Sequence, residues 1–109
     1  MMVIRTEQLQ AFRRAEWQTF LRNIAAEARA VLASRGDPRA NAPLEEAVAD
    51  AVRLGQYHGF RARPALMSFA RLVVVNGPGW ETPAVRTAFN DDTMTVEAKL
   101  DILATAVNG

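Results

Sequence analysis

Between residues 6 and 34 apolar side chains return at steps of three and four: Leu9, Phe12, Trp17, Phe20, Leu21, Ile24, Ala28, Val31 and Leu32. That period belongs to one face of an α-helix. Arg13, Arg14, Glu16, Arg22, Asn23, Glu27 and Arg29 fall mostly on the other faces. Thr6 suits the N-cap, and Glu7 favours the positive end of the helix dipole. Gly36 and Pro38 stop the helix after Ser34. Nearly thirty residues in one helix is long for a globular protein. The remaining chain must therefore arrange itself along this helix as along a spine.

The rest of the chain is helical too. "GDPRANAPLEE" reads as a loop, with Pro43 at the first position of a second helix and Glu45 and Glu46 in its first turn. Leu44, Val48, Ala51, Val52 and Tyr57 form its apolar stripe, and Gly59 ends it. A third helix starts near Pro64 and turns Leu66, Phe69, Ala70, Leu72 and Val73 to the core, flanked by Met67 and Val74. The β-branched run Val73–Val75 continues the helical period and has no second strand to pair with, so it reads as helix.

The stretch "NGPGWETP", residues 76–83, decides between a phosphate loop and a corner. A phosphate loop follows a strand, offers backbone N–H groups and supplies a lysine. Here there is no lysine, and Pro78 and Pro83 each remove a donor. A dinucleotide fingerprint needs a third glycine in a βαβ unit. The corner reading holds: Asn76-Gly77 closes one helix, Thr82-Pro83 caps and opens the next, and Trp80 plugs the turn, its indole N–H finding a partner. A short fourth helix over 83–89 carries Val85, Ala88 and Phe89. Asn90-Asp91-Asp92 breaks it. Thr95 caps a last helix with Val96, Leu100, Leu103 and Val107 as its stripe. The expected fold is an all-α single domain over 1–109, a bundle of about five helices with a long N-terminal one.

Composition narrows the chemistry. With no cysteine among 109 residues, disulfides, thiolate catalysis and cysteine-ligated metals are excluded. The start "MMVIRTEQLQ" is not a signal peptide, and no window approaches the length of a membrane helix. A cytoplasmic protein is expected. The only histidine, His58, sits at the end of the second helix, where it suits the negative end of the dipole. As a general base it would need a nucleophile and an orienting carboxylate, and none is close in sequence. Asp91, Asp92 and Asp101 fit turns and caps better than a metal site. No cofactor is expected.

The net charge of +1 is unevenly spread. Residues 1–35 hold six arginines and three glutamates, a balance of +3, and residues 81–109 hold two basic and five acidic residues, a balance of −3. Such polarity can orient a partner. The corner around Gly59 superficially resembles a helix-turn-helix, but the following "PALMSFARLVVV" is a core helix with one arginine rather than a base-reading one. Nucleic acid is therefore not an expected partner. Twelve of the thirteen basic residues are arginine, which suits interface ion pairs. Trp17, Met67 and Trp80 are large apolar groups of the kind enriched at interfaces. The apolar arc of the first helix, with Trp17, Phe20, Leu21 and Ile24, is too broad for so small a domain to cover, and the expected partner-binding residues are Arg13, Arg14, Trp17 and Leu21 on that helix and Trp80 in the corner.

Three stretches carry a resemblance: "VIRTEQLQAFRRA" opening the long helix, "AVRLGQYHGFRARPALMSFARLVVVNGPGWE" ending in a glycine turn with an aromatic, and the tail "DDTMTVEAKLDILATAV". Together they are similar to small helical proteins encoded beside type VI secretion effector and spike genes in Gram-negative bacteria. Thr95 and Val96 depart from the serine or proline that opens the last helix in that pattern. The resemblance implies a non-catalytic adaptor, chaperone or immunity protein that binds a larger bacterial effector or toxin. A homodimer is a second arrangement, and a small carboxylate-dependent hydrolase or lytic enzyme is the alternative function.

Overall fold

A computed structural model describes residues 6–108, with side chains described from 13 to 106. The readings that rest on Leu9, Phe12, Val107 and the side chains of Thr6 and Glu7 lie outside these limits. Five α-helices form among the described residues, and no strand. They are α1 (Thr6–Ser34), α2 (Glu45–Tyr57), α3 (Arg63–Asn76), α4 (Pro83–Phe89) and α5 (Val96–Asn108). Single 3-10 turns, Pro38–Asn41 and Gly77–Trp80, stand between α1 and α2 and between α3 and α4.

The helix ends arise from local chemistry. Gly36 has φ +67°. Its N–H reaches the Ala33 carbonyl, and the Asp37 N–H reaches Leu32, so both free carbonyls at the end of α1 are satisfied. Gly59, at φ +95°, closes α2 in the same way, through Gly59 to Gln56 and Phe60 to Gly55. The Thr82 hydroxyl accepts from the Val85 N–H at the start of α4, and the Thr95 hydroxyl accepts from Ala98 at the start of α5. The start of α2 differs from expectation. Pro43 lies before the helix, and Leu44 holds the cap position with its side chain buried. The preceding segment is not plain loop, because the Asp37 side chain caps the 3-10 turn that fills it.

α3 is the hub. It packs against α1, α2 and α5, whereas α1 packs, among the described residues, mainly on α2, α3 and the first 3-10 turn. The long helix is thus a spine for half of the molecule rather than for all of it. This placement corrects the expected face of α3: Leu72 and Val73 are half-buried while Val74 and Val75 are buried. A helix covered on several sides buries residues outside a single stripe. Tyr57 is corrected as well, being 83% exposed. It lies five residues beyond Val52 and so points away from the core, and Gly55 takes the next core position.

One core joins all five helices. Phe60, Phe69, Ile24, Leu32, Leu103, Val48, Val52 and Val85 are fully buried within it. Phe60 and Phe69 stack with ring centres 4.9 Å apart, and Phe89 closes on both. The Cα radius of gyration, 15.9 Å, exceeds the roughly 13 Å of an isometric domain of this length. α1 explains the excess. Its 29 residues span about 43 Å, twice the length of α2 or α3.

Candidate functional site

The core-facing stripe of α1 outruns the body it packs on. Ile24, Ala28 and Leu32 are buried, and Phe20 nearly so. Leu21, between Phe20 and Ile24, is half-buried, and so is Trp17, one turn further toward the N-terminus. Arg13 and Arg14, on the same face by four-residue spacing, are exposed. α1 and α3 run side by side in the same direction, tied by Glu16 to Arg63 at 4.0 Å and Glu27 to Arg71 at 3.8 Å. Beyond the start of α3 the stripe has no α3 to meet. Trp17 packs on Phe20 with ring centres 5.5 Å apart, and the Arg63 guanidinium lies 5.7 Å from the Phe20 ring. A cleft of about 350 Å³ opens there, lined by Glu16, Thr19, Phe20, Asn23 and Arg63.

Four of the expected partner-binding residues, Arg13, Arg14, Trp17 and Leu21, therefore share one surface at the end of α1. Trp80 does not join them. It comes after α3 and folds back over the core, edge-on to Phe69 at 5.7 Å and 6.0 Å from Phe89. It is the expected plug of the turn, with one difference. Its indole N–H makes no hydrogen bond among the described residues, and no unpartnered side-chain nitrogen is buried there. The ring walls an apolar groove of about 400 Å³ between α2 and α3, with Leu44, Ala51, Leu54, Val73 and Pro78. Arg39 and Asp50 stand at its edges, each already paired, with Asp37 and Arg53 respectively.

His58 occupies the C-cap of α2, as expected, but not in a charged role. Its ring is edge-on to Phe89 at 4.9 Å and lies 6.3 Å from Phe69. Burial among these rings pushes its pKa below the ordinary histidine value. The Lys99 ammonium adds to that shift, and the Glu81 carboxylate opposes it. A neutral imidazole gives the helix dipole little, so the expected charge–dipole contact is corrected to aromatic packing. The cleft beside it, about 160 Å³, is lined by His58, Trp80, Glu81, Val85, Arg86, Phe89 and Asn90. Glu81 lies 3.6 Å from Arg86, and neither serine nor threonine lines the cleft.

Lys99 was missed by the sequence reading. It is 8% exposed, and its ammonium donates to the Phe89 carbonyl at 3.4 Å, at the negative end of α4. Asp91 serves the turn between α4 and α5: its carboxylate accepts from the Thr93 N–H at 2.9 Å and from the Thr93 hydroxyl at 2.6 Å. These bonds hold its pKa below the usual carboxylate value. Among the described residues no three carboxylate or histidine groups gather as metal ligands would, and no helix is long and apolar enough to cross a membrane.

Comparison with protein-family models, with curated proteins and with solved structures finds no match to this chain.

Proposed function

We propose that this chain is a non-catalytic binding protein, an adaptor, chaperone or immunity partner of a larger bacterial effector or toxin of the type VI secretion kind. One observation carries the docking part of this reading: the stripe of α1 passes from buried Ile24 and Phe20 to half-buried Trp17 and then to exposed Arg13 and Arg14, with half-buried Leu21 beside it. An apolar step beside guanidinium groups is the composition of a docking surface. Tryptophan and arginine are the residues most often found to dominate binding energy. The link to type VI secretion rests on the resemblance of the three quoted stretches.

The test is recovery of tagged protein from its own bacterium, with mass spectrometry and sizing of the complex. The expected result is one large partner at fixed stoichiometry, with Trp17→Ala and the pair Arg13→Glu, Arg14→Glu each weakening the complex. A complex left intact by both changes removes α1 as the docking surface. A lone monomer free of partners removes the binding reading and directs the search to a substrate screen for the hydrolase alternative.

A further inference from the structure

The face of α1 that the described residues leave uncovered has a chemical complement on this same chain. α4 and α5 enclose a cleft of about 320 Å³ lined by Ala84, Asp101, Ile102, Thr105 and Ala106. Glu97 lies one turn before Asp101 on the same face of α5, and both are exposed. Neither is in an ion pair among the described residues, and the same holds for Arg13 and Arg14. From N to C terminus, the α1 face runs Arg13, Arg14, Trp17, Leu21. On α5, Asp101, Ile102 and Ala106 line the cleft, and Glu97 stands one turn before Asp101. Basic residues beside apolar ones on one helix are complementary to acidic residues beside apolar ones on the other.

Apart from α3, the two helices pack on different neighbours among the described residues. α1 packs on α2 and α3, while α5 packs on α3, α4 and the second 3-10 turn, so α3 stands between them. We infer that the α1 overhang of one copy docks on the α4–α5 face of a second copy, Arg13 and Arg14 over Glu97 and Asp101, Trp17 and Leu21 along Ile102 and Ala106. The contact joins different patches on the two copies, so it is head-to-tail and can propagate. The uneven charge of the chain, +3 in residues 1–35 and −3 in residues 81–109, acts in the same sense. This inference rests on the proposed function in one respect, that the α1 overhang is a docking surface. Its acidic half belongs to residues with no part in capturing the larger partner.

Sedimentation velocity from micromolar to millimolar protein tests it, at low and at high salt. The expected result is association that grows with concentration at low salt and weakens as salt screens the charges. The pair Glu97→Lys, Asp101→Lys should weaken it about tenfold or more, as should the pair Arg13→Glu, Arg14→Glu. Mixing the two variants should restore association, because each supplies the charge the other now needs. All four positions are exposed, and circular dichroism checks that each variant stays folded. A wild-type chain that remains monomeric overturns the inference and leaves the α5 face to a different protein. Association that ignores salt, or survives both charge reversals, overturns it too. Partner capture lost in the arginine variant but kept in the α5 variant, with no self-association in wild type, retains the proposed function and sinks this inference alone.

Discussion

The Arg39 guanidinium donates to the Val75 carbonyl at 2.7 Å, across 36 residues of chain. It also reaches the Val74 carbonyl at 3.4 Å, and it is held in place by the Asp37 carboxylate at 2.8 Å. One side chain from the first 3-10 turn thus caps the end of α3. Gly77 makes room for it: a Cβ there would stand 3.2 Å from the guanidinium. Arg29 fixes the same turn from the other side, donating to the Ala40 and Ala42 carbonyls at 3.1 and 3.3 Å.

Removing that cap leaves the Val75 carbonyl without its partner inside a buried residue. Arg39→Ala is therefore expected to lower stability by about 1–2 kcal/mol. Arg39→Lys should recover only part of this, because an ammonium cannot bridge the carboxylate and two carbonyls as the planar guanidinium does. Urea unfolding of the three proteins checks both statements. Equal midpoints for all three would show that water replaces the cap at no cost.

Gly55 tests the closest approach in the core. A Cβ at this buried position would stand 2.7 Å from Leu66 Cδ1 and 2.9 Å from Phe69 Cδ1. Alanine ordinarily favours a helix over glycine by about 1 kcal/mol. Here the Phe69 ring is fully buried against Phe60 and cannot swing aside freely. The expected net effect of Gly55→Ala is a loss of about 1–2 kcal/mol, with Gly55→Val worse. Thermal or urea unfolding decides the sign, and a gain in stability would mean that α2 and α3 can part by a few tenths of an ångström without loss.

These two sites mark where sequence reading reached its limit. Helix number, the C-terminal end of α1, both ends of α4, and the caps Thr82 and Thr95 were legible, because each depends on residues a few positions apart. The described part of the α1 stripe was legible as well, with Phe20, Ile24, Ala28 and Leu32 buried. Tyr57, Lys99, Arg39 and the hub role of α3 were not. Each depends on which elements meet. Lys99 reads as an ordinary solvated lysine until α4 ends against it, and Arg39 reads as a loop residue until the end of α3 arrives. The same holds for the candidate site: Trp17 and Trp80 are equivalent by composition, and only the packing sends them to separate surfaces.

His58 gives the molecule a pH dependence of definite sign. Its pKa is lowered in the folded protein from the ordinary 6.5, first by burial and then by the Lys99 ammonium. The unfolded chain then binds the proton more readily than the folded one. Stability from this group is full above the ordinary histidine value and falls as pH drops below it, until the folded-state value is passed. Asp37 and Asp91, both with lowered values, act in a separate window beneath the ordinary carboxylate value of 3.8. His58→Gln should flatten the first window and leave the second unchanged. Unfolding free energies measured from pH 7 down to about pH 5 are the check, and an unchanged slope in the variant would place the dependence elsewhere.

Lys99 supplies the last prediction, because it couples to His58 through space. Its ammonium is buried, makes one long hydrogen bond to the Phe89 carbonyl and has no ion-pair partner among the described residues. A buried charge held so loosely contributes little net stability against an apolar side chain of similar length. Lys99→Met should therefore change stability by no more than about 1 kcal/mol, the lost carbonyl contact offsetting the relieved desolvation. The His58 pKa should move up at the same time, since one of its two depressing causes is gone. It should stay below 6.5, because burial among Phe69 and Phe89, the larger cause, remains. Titration of the single imidazole by NMR measures the shift directly, free of interference from any second histidine. An imidazole that titrates identically in both proteins would mean that the ammonium does not act on it, and that burial alone sets its protonation.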